Sequence, residues 1–594
     1  MAGDHIVLGD IRPPSDDETT VEFPPSSAAS QFDTLKSSQR PYDDLENTAY
    51  ATVVDLGGAH KQREGNNVDP HPLPSDIEPP KGLKLVLLML TLLLVEVIVG
   101  LDNTIVATST ATIANDFQRL TDVGWYGSAY LLTCVAFQPL AGRAFAFFPQ
   151  KWVFLICLAI FNLGCLVAAV APSSSVLILG RALQGLGYAG LFIGILAIAS
   201  NTLPIRMQAV VTSLMNVSYG SGTVMGPLIG GALTSNLTWR WCFWVLLMGG
   251  GLALGLGVWL LNPPPIPQEL TVKQRIARMD WGGAFLLLGS MVCLLIALQE
   301  GGITSPWSSS KMCGLLVGFV ALLCAFFALQ TKLGEKSSIS IRLLTHNRSL
   351  ACTSFVNFTC GASFYLLLYF VPIWFQTVKA ATPVQAGINL LPLIALNMTM
   401  GIVAGWTVSR FGTFHPAMLF GLACTAIGSG LHATMDASTS TARWAGYGAV
   451  LGSGMGALYM MSFLASQMLA EPADRSKASS LVCFFQILGG TIWVSAGNSI
   501  YTNTFKRGIS KIPGVDVQAV LDSGVDRFRE VVDPAQLPAV VDVAVDALWD
   551  VFVTAAVIAA AGFVAALGIR WVRIEEDKGA KKDDEKQRVE ESDG

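Results

Sequence analysis

Long apolar runs of about 20 residues recur from residue 83 onward between short polar breaks, and about 20 residues is the length of helix that crosses a hydrocarbon layer of about 30 Å. They fall at 83–107, 124–146, 151–171, 176–200, 208–233, 240–261, 281–300, 313–333, 352–376, 386–408, 415–435, 444–469, 478–500 and 548–572. The pattern predicts an all-α integral membrane protein with about fourteen transmembrane helices. Residues 1–82 are rich in Pro, Ser, Asp and Glu and show no apolar periodicity, so they read as a disordered tail. With that tail in front, the first helix is expected to serve as its own insertion signal. The segment 501–547 is the one long polar interruption between late spans and is expected to be an external loop.

Basic residues in short loops stay on the cytoplasmic side. With the N-terminus inside, the inner breaks hold Arg143, Lys151, Arg206, Lys273, Arg275, Arg342 and Arg410 among others, whereas the outer ones hold only Arg119, Arg240, Lys311, Lys379 and Arg443. An even number of spans then returns residues 573–594 to the cytoplasm. Asp542, Asp546 and Asp550 recur every fourth residue ahead of the last span and form one stripe of a helix, read as a solvated face or, less simply, as a cation-collecting vestibule.

Composition agrees with this pattern: 52% of residues are hydrophobic and 14% charged, against about 25% charged in ordinary soluble domains. The formal net charge of -5 says little once loops are counted separately, and nothing in it points to nucleic acid. The 11 Cys are scattered through apolar runs without C-x-x-C spacing and read as small packing residues. Only 6 His occur, none at metal-ligand spacing, and no G-x-x-x-x-G-K-[ST] loop is present. No cofactor or metal is expected, and an enzyme is not.

The ends of the second and tenth spans echo one another, Gly142-Arg-Ala-Phe leading into the third and Gly405-Trp-Thr-Val-Ser-Arg410-Phe-Gly412 into the eleventh. An offset of eight spans predicts a six-helix half over 83–262, a linker with two inserted helices over 263–350 and a second six-helix half over 351–572.

Charges inside the bilayer are costly and need partners. Arg181 opens the fourth span in Arg181-Ala-Leu-Gln184-Gly185-Leu-Gly187, and Asp102 lies in the oppositely running first span. Counting from the flanking polar residues places both in the outer half, so a carboxylate–guanidinium pair is expected. It is either a proton-coupling device that protonation of Asp102 loosens or a static clamp. Glu96, six residues before Asp102 and nearer the midplane, faces a different side of the helix. It is a proton carrier, a cation-binding group or a residue paired with a neighbouring helix.

The fifth span carries Gly222-x-x-x-Gly226-Pro227-x-x-Gly230-Gly231, glycines on one face that let a neighbour approach closely, with a proline bend. Tyr365, Tyr369 and Gln376 in the aromatic ninth span line a substrate cavity or belong to an interfacial belt. Gln467 and Gln486, in the twelfth and thirteenth spans, and Gln184 are further cavity candidates.

These residues resemble the major facilitator superfamily, and within it the fourteen-span drug:proton antiporters of fungi, over about 83–572. The resemblance rests on L-D-N-T-I-V at Leu101 to Val106, R-A-L-Q-G-L-G at Arg181 to Gly187 and the glycine run Gly222 to Gly231. Trp239-Arg-Trp-Cys-Phe-Trp244, Val371-Pro-Ile-Trp-Phe-Gln376 and Leu391-Pro392 are also similar. It implies a major facilitator fold and a proton-coupled antiporter that exports a bulky, partly apolar organic compound by alternating access. Asp102 would take part in coupling, Arg181 would assist it, and Gly226-Pro227 would belong to the antiporter signature. Partners would then be the small-molecule substrate, protons and the lipid bilayer, with a monomer at the plasma membrane as the expectation and the vacuolar membrane as the alternative. A carrier of basic amino acids or siderophores is the second reading, kept open by Glu96. The sequence departs from the family after the second span, where Ala146 and Phe147 replace the usual acid and Arg.

Overall fold

A computed structural model describes residues 83–117, 119, 122–202, 205–261, 271–334, 337–470 and 474–572. The expected tails, 1–82 and 573–594, lie outside them. The described chain is helical, with no strand and a single isolated bridge, Gly301 to Ser305.

Among the described residues, fourteen helices are long enough to cross a bilayer. They are α1 (Leu83–Phe117), α2 (Val123–Phe147), α3 (Gln150–Ala169), α4 (Ser174–Thr202), α5 (Ile205–Asn236), α6 (Arg240–Leu260), α8 (Trp281–Glu300), α9 (Ser310–Leu333), α11 (Arg348–Thr377), α13 (Leu391–Phe411), α14 (His415–Ala433), α15 (Thr441–Leu469), α16 (Arg475–Ile509) and α18 (Leu537–Leu567). Thirteen of the spans are also strongly apolar. The exception, α5, spends its positions on Gly, Ser, Thr and Asn that serve packing. Four short helices complete the order: α7 (Val272–Ala277), α10 (Ile341–His346), α12 (Pro383–Asn389) and α17 (Val517–Val531). This is a multi-pass membrane protein.

Polar caps set the helix ends. The Asn347 side chain accepts from Leu350 N at 3.1 Å to start α11, and Thr271 and Gln274 close a capping box on α7. Gly412 ends α13 in the left-handed region at φ 69°, a conformation that favours glycine. That explains the glycine kept in the second echo loop. The first echo loop ends instead on extended Phe148 at φ -118°, followed by Pro149.

Packing repeats itself. α1 pairs with α5 and α6, α3 with α4 and α6, and α2 with α4. The same five pairings recur when α11, α13, α14, α15, α16 and α18 are taken in that order. α8 and α9 pack on each other, and α8 also leans on α2 and α16, where Gln299 Nε2 donates to Ser128 Oγ at 3.0 Å. α9 packs chiefly on α8 and leaves most of its surface exposed.

The end of the bundle at which Leu83 enters is called here the entry end, and the opposite one the far end. The two helix groups touch at both. At the far end the Pro227 ring lies against Gly387, and Gly231 against Val384. At the entry end Gly142 faces Ser480, Gln138 Nε2 donates to Cys483 Sγ at 2.7 Å, and Phe192 packs on Phe463 with centroids 5.5 Å apart.

The expected loop over 501–547 is mostly helix. α16 runs to Ile509, α17 covers Val517–Val531 and α18 begins at Leu537, eleven residues before the expected start of the last span. The sequence misleads because α17 is amphipathic rather than apolar, so it has a packing face without a membrane-length run. Val520 and Phe528 are buried on the far-end core, and Arg529 Nη2 donates to the last carbonyls of α11, Thr377 O at 2.7 Å and Val378 O at 3.2 Å. Replacing Arg529 by Ala leaves those carbonyls without the guanidinium. A loss of about 1 kcal/mol in thermal unfolding of the detergent-solubilised protein is expected, discounted for partial exposure. Asp542 and Asp546 are exposed, as a solvated stripe should be, and Asp550 accepts from Thr504 Oγ1 at 2.8 Å. The eleven cysteines are all free.

Candidate functional site

Two acids lie on α1, and the helix gives them different surroundings. Asp102 is fully buried. Its Oδ1 accepts from Arg181 Nη1 at 2.7 Å and more weakly from Gln184 Nε2 at 3.4 Å. Arg181, 3% exposed, is held on every side: Nη1 also donates to Gln184 Oε1 at 2.8 Å, Nε donates to Tyr126 O at 2.9 Å, and the guanidinium lies 4.6 Å from the Tyr130 ring centroid. Gln184 Nε2 further donates to Cys165 Sγ at 3.0 Å. Among the described residues Asp102 Oδ2 has no hydrogen-bond partner, so one carboxylate oxygen is open to a proton. The pair expected from opposed charges in antiparallel helices is therefore present, with Gln184 as a third member.

α5 holds α1 at backbone distance. A Cβ on Gly222 would sit 2.1 Å from Val97 O, one on Gly100 2.1 Å from Tyr219 O, and one on Gly226 1.8 Å from Thr104 Oγ1. The approach lets Thr104 Oγ1 donate to Thr223 O at 3.0 Å, two residues along α1 from Asp102. Pro227 and Gly231 turn to the other side and meet α12, and Gly230 is buried.

Glu96 is 3% exposed and, among the described residues, forms no hydrogen bond or ion pair. It lines an internal gap of about 10 Å³, the order of one water molecule, with Tyr188, Phe192, Met215, Asn216, Tyr219 and Tyr459. These come from α1, α4 and α5 on one side and α15 on the other. Tyr219 also stands within electrostatic reach of Asp102 and Tyr365.

Of the other expected cavity residues, Tyr365 joins this cluster, lying over Gly490 and near Tyr219 and Tyr459. Gln486 is 3% exposed on α16, with Nε2 unpartnered among the described residues. Tyr369 is 39% exposed, and Gln376 is half-buried as the last residue but one of α11. Gln467 is exposed near the entry end of α15 and does not reach the gap, because its helix turns Tyr459 and Ser466 inward instead. Sequence reasoning missed Tyr126, Tyr130, Tyr188, Asn216, Tyr219 and Tyr459. The available signal was depth: Tyr188 lies fourteen residues into α4, Tyr219 fourteen into α5 and Glu96 thirteen into α1, all near mid-span.

A sequence model of the Major Facilitator Superfamily matches residues 92–494. The chain is 36% identical over 500 residues to the MFS-type efflux pump MFS1 of Arthroderma benhamiae, covering 84% of this chain and 93% of that one. It is 40% identical over 460 residues to the MFS-type transporter phomT of Diaporthe leptostromiformis (76% and 77% covered) and 35% identical over 501 residues to the efflux pump aflT of Aspergillus parasiticus (84% and 97%). Among solved structures, the inward-facing bacterial homologue of the human lysosomal transporter Spinster is similar in fold. Its unoccupied form has a TM-score of 0.51 at 16% identity, covering 82% of this chain and 98% of that one. Its occupied form has a TM-score of 0.53 at 17% identity. The repeated helix pairing, the intramembrane Asp102–Arg181 pair and these matches agree: the chain belongs to the major facilitator superfamily.

Proposed function

We propose that the chain is a proton-coupled antiporter that exports a bulky, partly apolar organic compound by alternating access, with the entry end facing the cytoplasm. The observation that carries this reading is a fully buried carboxylate, Asp102, held by one oxygen only, six residues along α1 from Glu96, which lines a small gap between α1, α4, α5 and α15. A proton on Oδ2 removes the charge that Arg181 answers, and the guanidinium then leans on Gln184, Tyr126 O and the Tyr130 ring. That changes the contact between α1 and α4 without exposing either group to lipid. The repeated pairing of α1–α6 and of α11, α13, α14, α15, α16 and α18 supports two halves, 83–262 and 351–572, rocking about the gap, with the two helices between them as an insertion. Relatives named efflux pumps support the outward direction of transport, and the basic entry-end loops support a cytoplasmic entry end.

Purified protein in proteoliposomes carrying a trapped pH dye tests it. Adding an aromatic polyketide or a lipophilic dye should drive protons in the direction opposite to the compound, and a protonophore should abolish uptake against a gradient. Compound movement with no proton movement across such a panel sinks the coupling.

A further inference from the structure

Two tyrosines one turn apart on α2 touch Arg181 in different ways. Tyr126 holds it through its backbone oxygen and keeps its own hydroxyl occupied, with Ser174 Oγ at 3.0 Å. Tyr130 holds it through its ring, whose centroid lies 4.6 Å from the guanidinium. The Tyr130 hydroxyl has no hydrogen-bond partner among the described residues, although the residue is only 1% exposed. A buried hydroxyl left unanswered is costly and calls for an explanation. Its backbone is not free to retreat and find a partner. A Cβ on Gly185 would sit 2.0 Å from Tyr130 O, and Thr133 Oγ1 donates to Ala182 O at 2.8 Å, so α2 and α4 are fastened together at this level. A further neighbour of the ring is Tyr188, stacked on it with centroids 5.4 Å apart and planes at 18°, and Tyr188 lines the internal gap. Tyr365 of α11, in the second helix group, stands within electrostatic reach of both. The Tyr130 hydroxyl therefore lies at the face that the first helix group turns toward the second.

We propose, resting on the antiporter reading, that Tyr130 is the contact through which the exported compound reaches the Asp102–Arg181 pair. Its hydroxyl donates to an acceptor oxygen of the compound, a carbonyl above all, and its ring positions Arg181. The substrate class is thus an apolar frame that carries an acceptor oxygen. Donation is the stronger mode of a phenol, because its oxygen lone pairs are partly delocalised into the ring, and a compound without an acceptor leaves the buried hydroxyl unanswered. The ring does not serve both partners equally. With Asp102 protonated, Arg181 leans on Gln184, Tyr126 O and this ring. A compound that draws the hydroxyl toward itself takes the ring off the guanidinium, and Arg181 turns to Asp102. The proton on Oδ2 then leaves to water, and an ion pair replaces the O–H bond. When the compound departs, the ring settles back on Arg181 and Asp102 takes up a proton again. Compound and proton exclude one another, and that exclusion is reciprocal.

The test uses purified full-length protein in weakly buffered detergent, with equilibrium dialysis for binding and a pH indicator for proton release. The probes are fluorenone, which carries a carbonyl, and fluorene, the same frame with a methylene in its place. The wild type should bind fluorenone at least about fivefold more tightly than fluorene, the size of one answered hydrogen bond, and release protons with fluorenone only. Tyr130→Phe keeps the ring. It should lose at least about fivefold for fluorenone, keep its affinity for fluorene and release no protons on binding. A purely structural role would weaken both compounds alike. Equal affinities in the wild type, no binding of either probe, or a preference unchanged in Tyr130→Phe overturns the assignment, and so does a lost preference with proton release kept. The antiporter reading fails separately. If Tyr130→Phe loses the preference but the wild type neither releases protons on binding nor moves them in proteoliposomes, coupling is wrong and the hydroxyl contact stands. If the wild type and Tyr130→Phe couple equally well, the role of Tyr130 is wrong and coupling stands.

Discussion

Asp102→Asn is expected to abolish proton-driven export, lowering the coupled rate in proteoliposomes by more than tenfold, while Arg181→Gln does the same for a different reason. Asparagine keeps the shape of the side chain and an acceptor for Arg181, but it no longer takes up and gives back a proton. Each single variant also leaves one buried partner unanswered, and breaking a buried pair from one side costs about 3–5 kcal/mol. Loss of activity alone therefore does not separate coupling from simple destabilisation. The double variant Asp102→Asn/Arg181→Gln does, because it removes both charges and should recover much of the thermal stability lost in either single variant. As a coupling device the pair predicts a stable double variant that does not move protons with substrate. As a static clamp it predicts a stable double variant that transports at near the wild-type rate, and that outcome would remove Asp102 from the mechanism.

Gly222→Ala is expected to be far more damaging than the addition of one methyl suggests. The new Cβ meets the carbonyl oxygen of Val97 at 2.1 Å, a backbone atom that moves only if α1 and α5 separate. Overpacking of this kind costs about 1–3 kcal/mol in ordinary cores, and the upper part of that range or beyond is expected where backbone opposes backbone. Gly226→Ala meets Thr104 Oγ1 instead, a side-chain atom, so pairing it with Thr104→Ala should restore part of the stability. Nothing comparable rescues Gly222→Ala. Gly251 and Gly255 on α6 have open space where a Cβ would go, and their alanine variants should unfold within a degree or two of wild type. Thermal unfolding followed by size-exclusion chromatography in detergent ranks all four. If Gly222→Ala is as mild as Gly251→Ala, the close seam between α1 and α5 is not as described.

The membrane helices were legible because a bilayer imposes length and polarity on each segment separately, so a span announces itself without its neighbours. The Asp102–Arg181 pair was legible for the same reason: a charge in an apolar run demands an answer, and helix direction with residue counting says which helix supplies it. The surroundings of Glu96 were not. Tyr188, Tyr219 and Tyr459 sit in three separate helices, each unremarkable in its own run, and only tertiary packing brings them to one gap. The outward turn of Gln467 on α15 was not legible either, because a polar residue in a span carries no sign of its azimuth. The segment 501–547 was misread because an amphipathic helix resting on a protein surface needs only one apolar face, which a search for continuous apolar runs passes over.

The two glycine-bearing sides of α5 bear on how the proposed rocking of the halves avoids jamming. Toward α1 the helix is locked, since backbone meets backbone over two turns and Thr104 bridges to Thr223. Toward α12 it presents Pro227 and Gly231, a nearly smooth strip met by Gly387 and Val384. Interlocked side chains resist sliding the way gear teeth do, whereas a strip with few teeth offers little resistance to shear. If the halves rock as proposed, α5 acts as a bearing, fixed to its own half and gliding along the other. A bulky residue introduced on that strip should act like grit, slowing the exchange between facing states while leaving the stability of each half almost untouched.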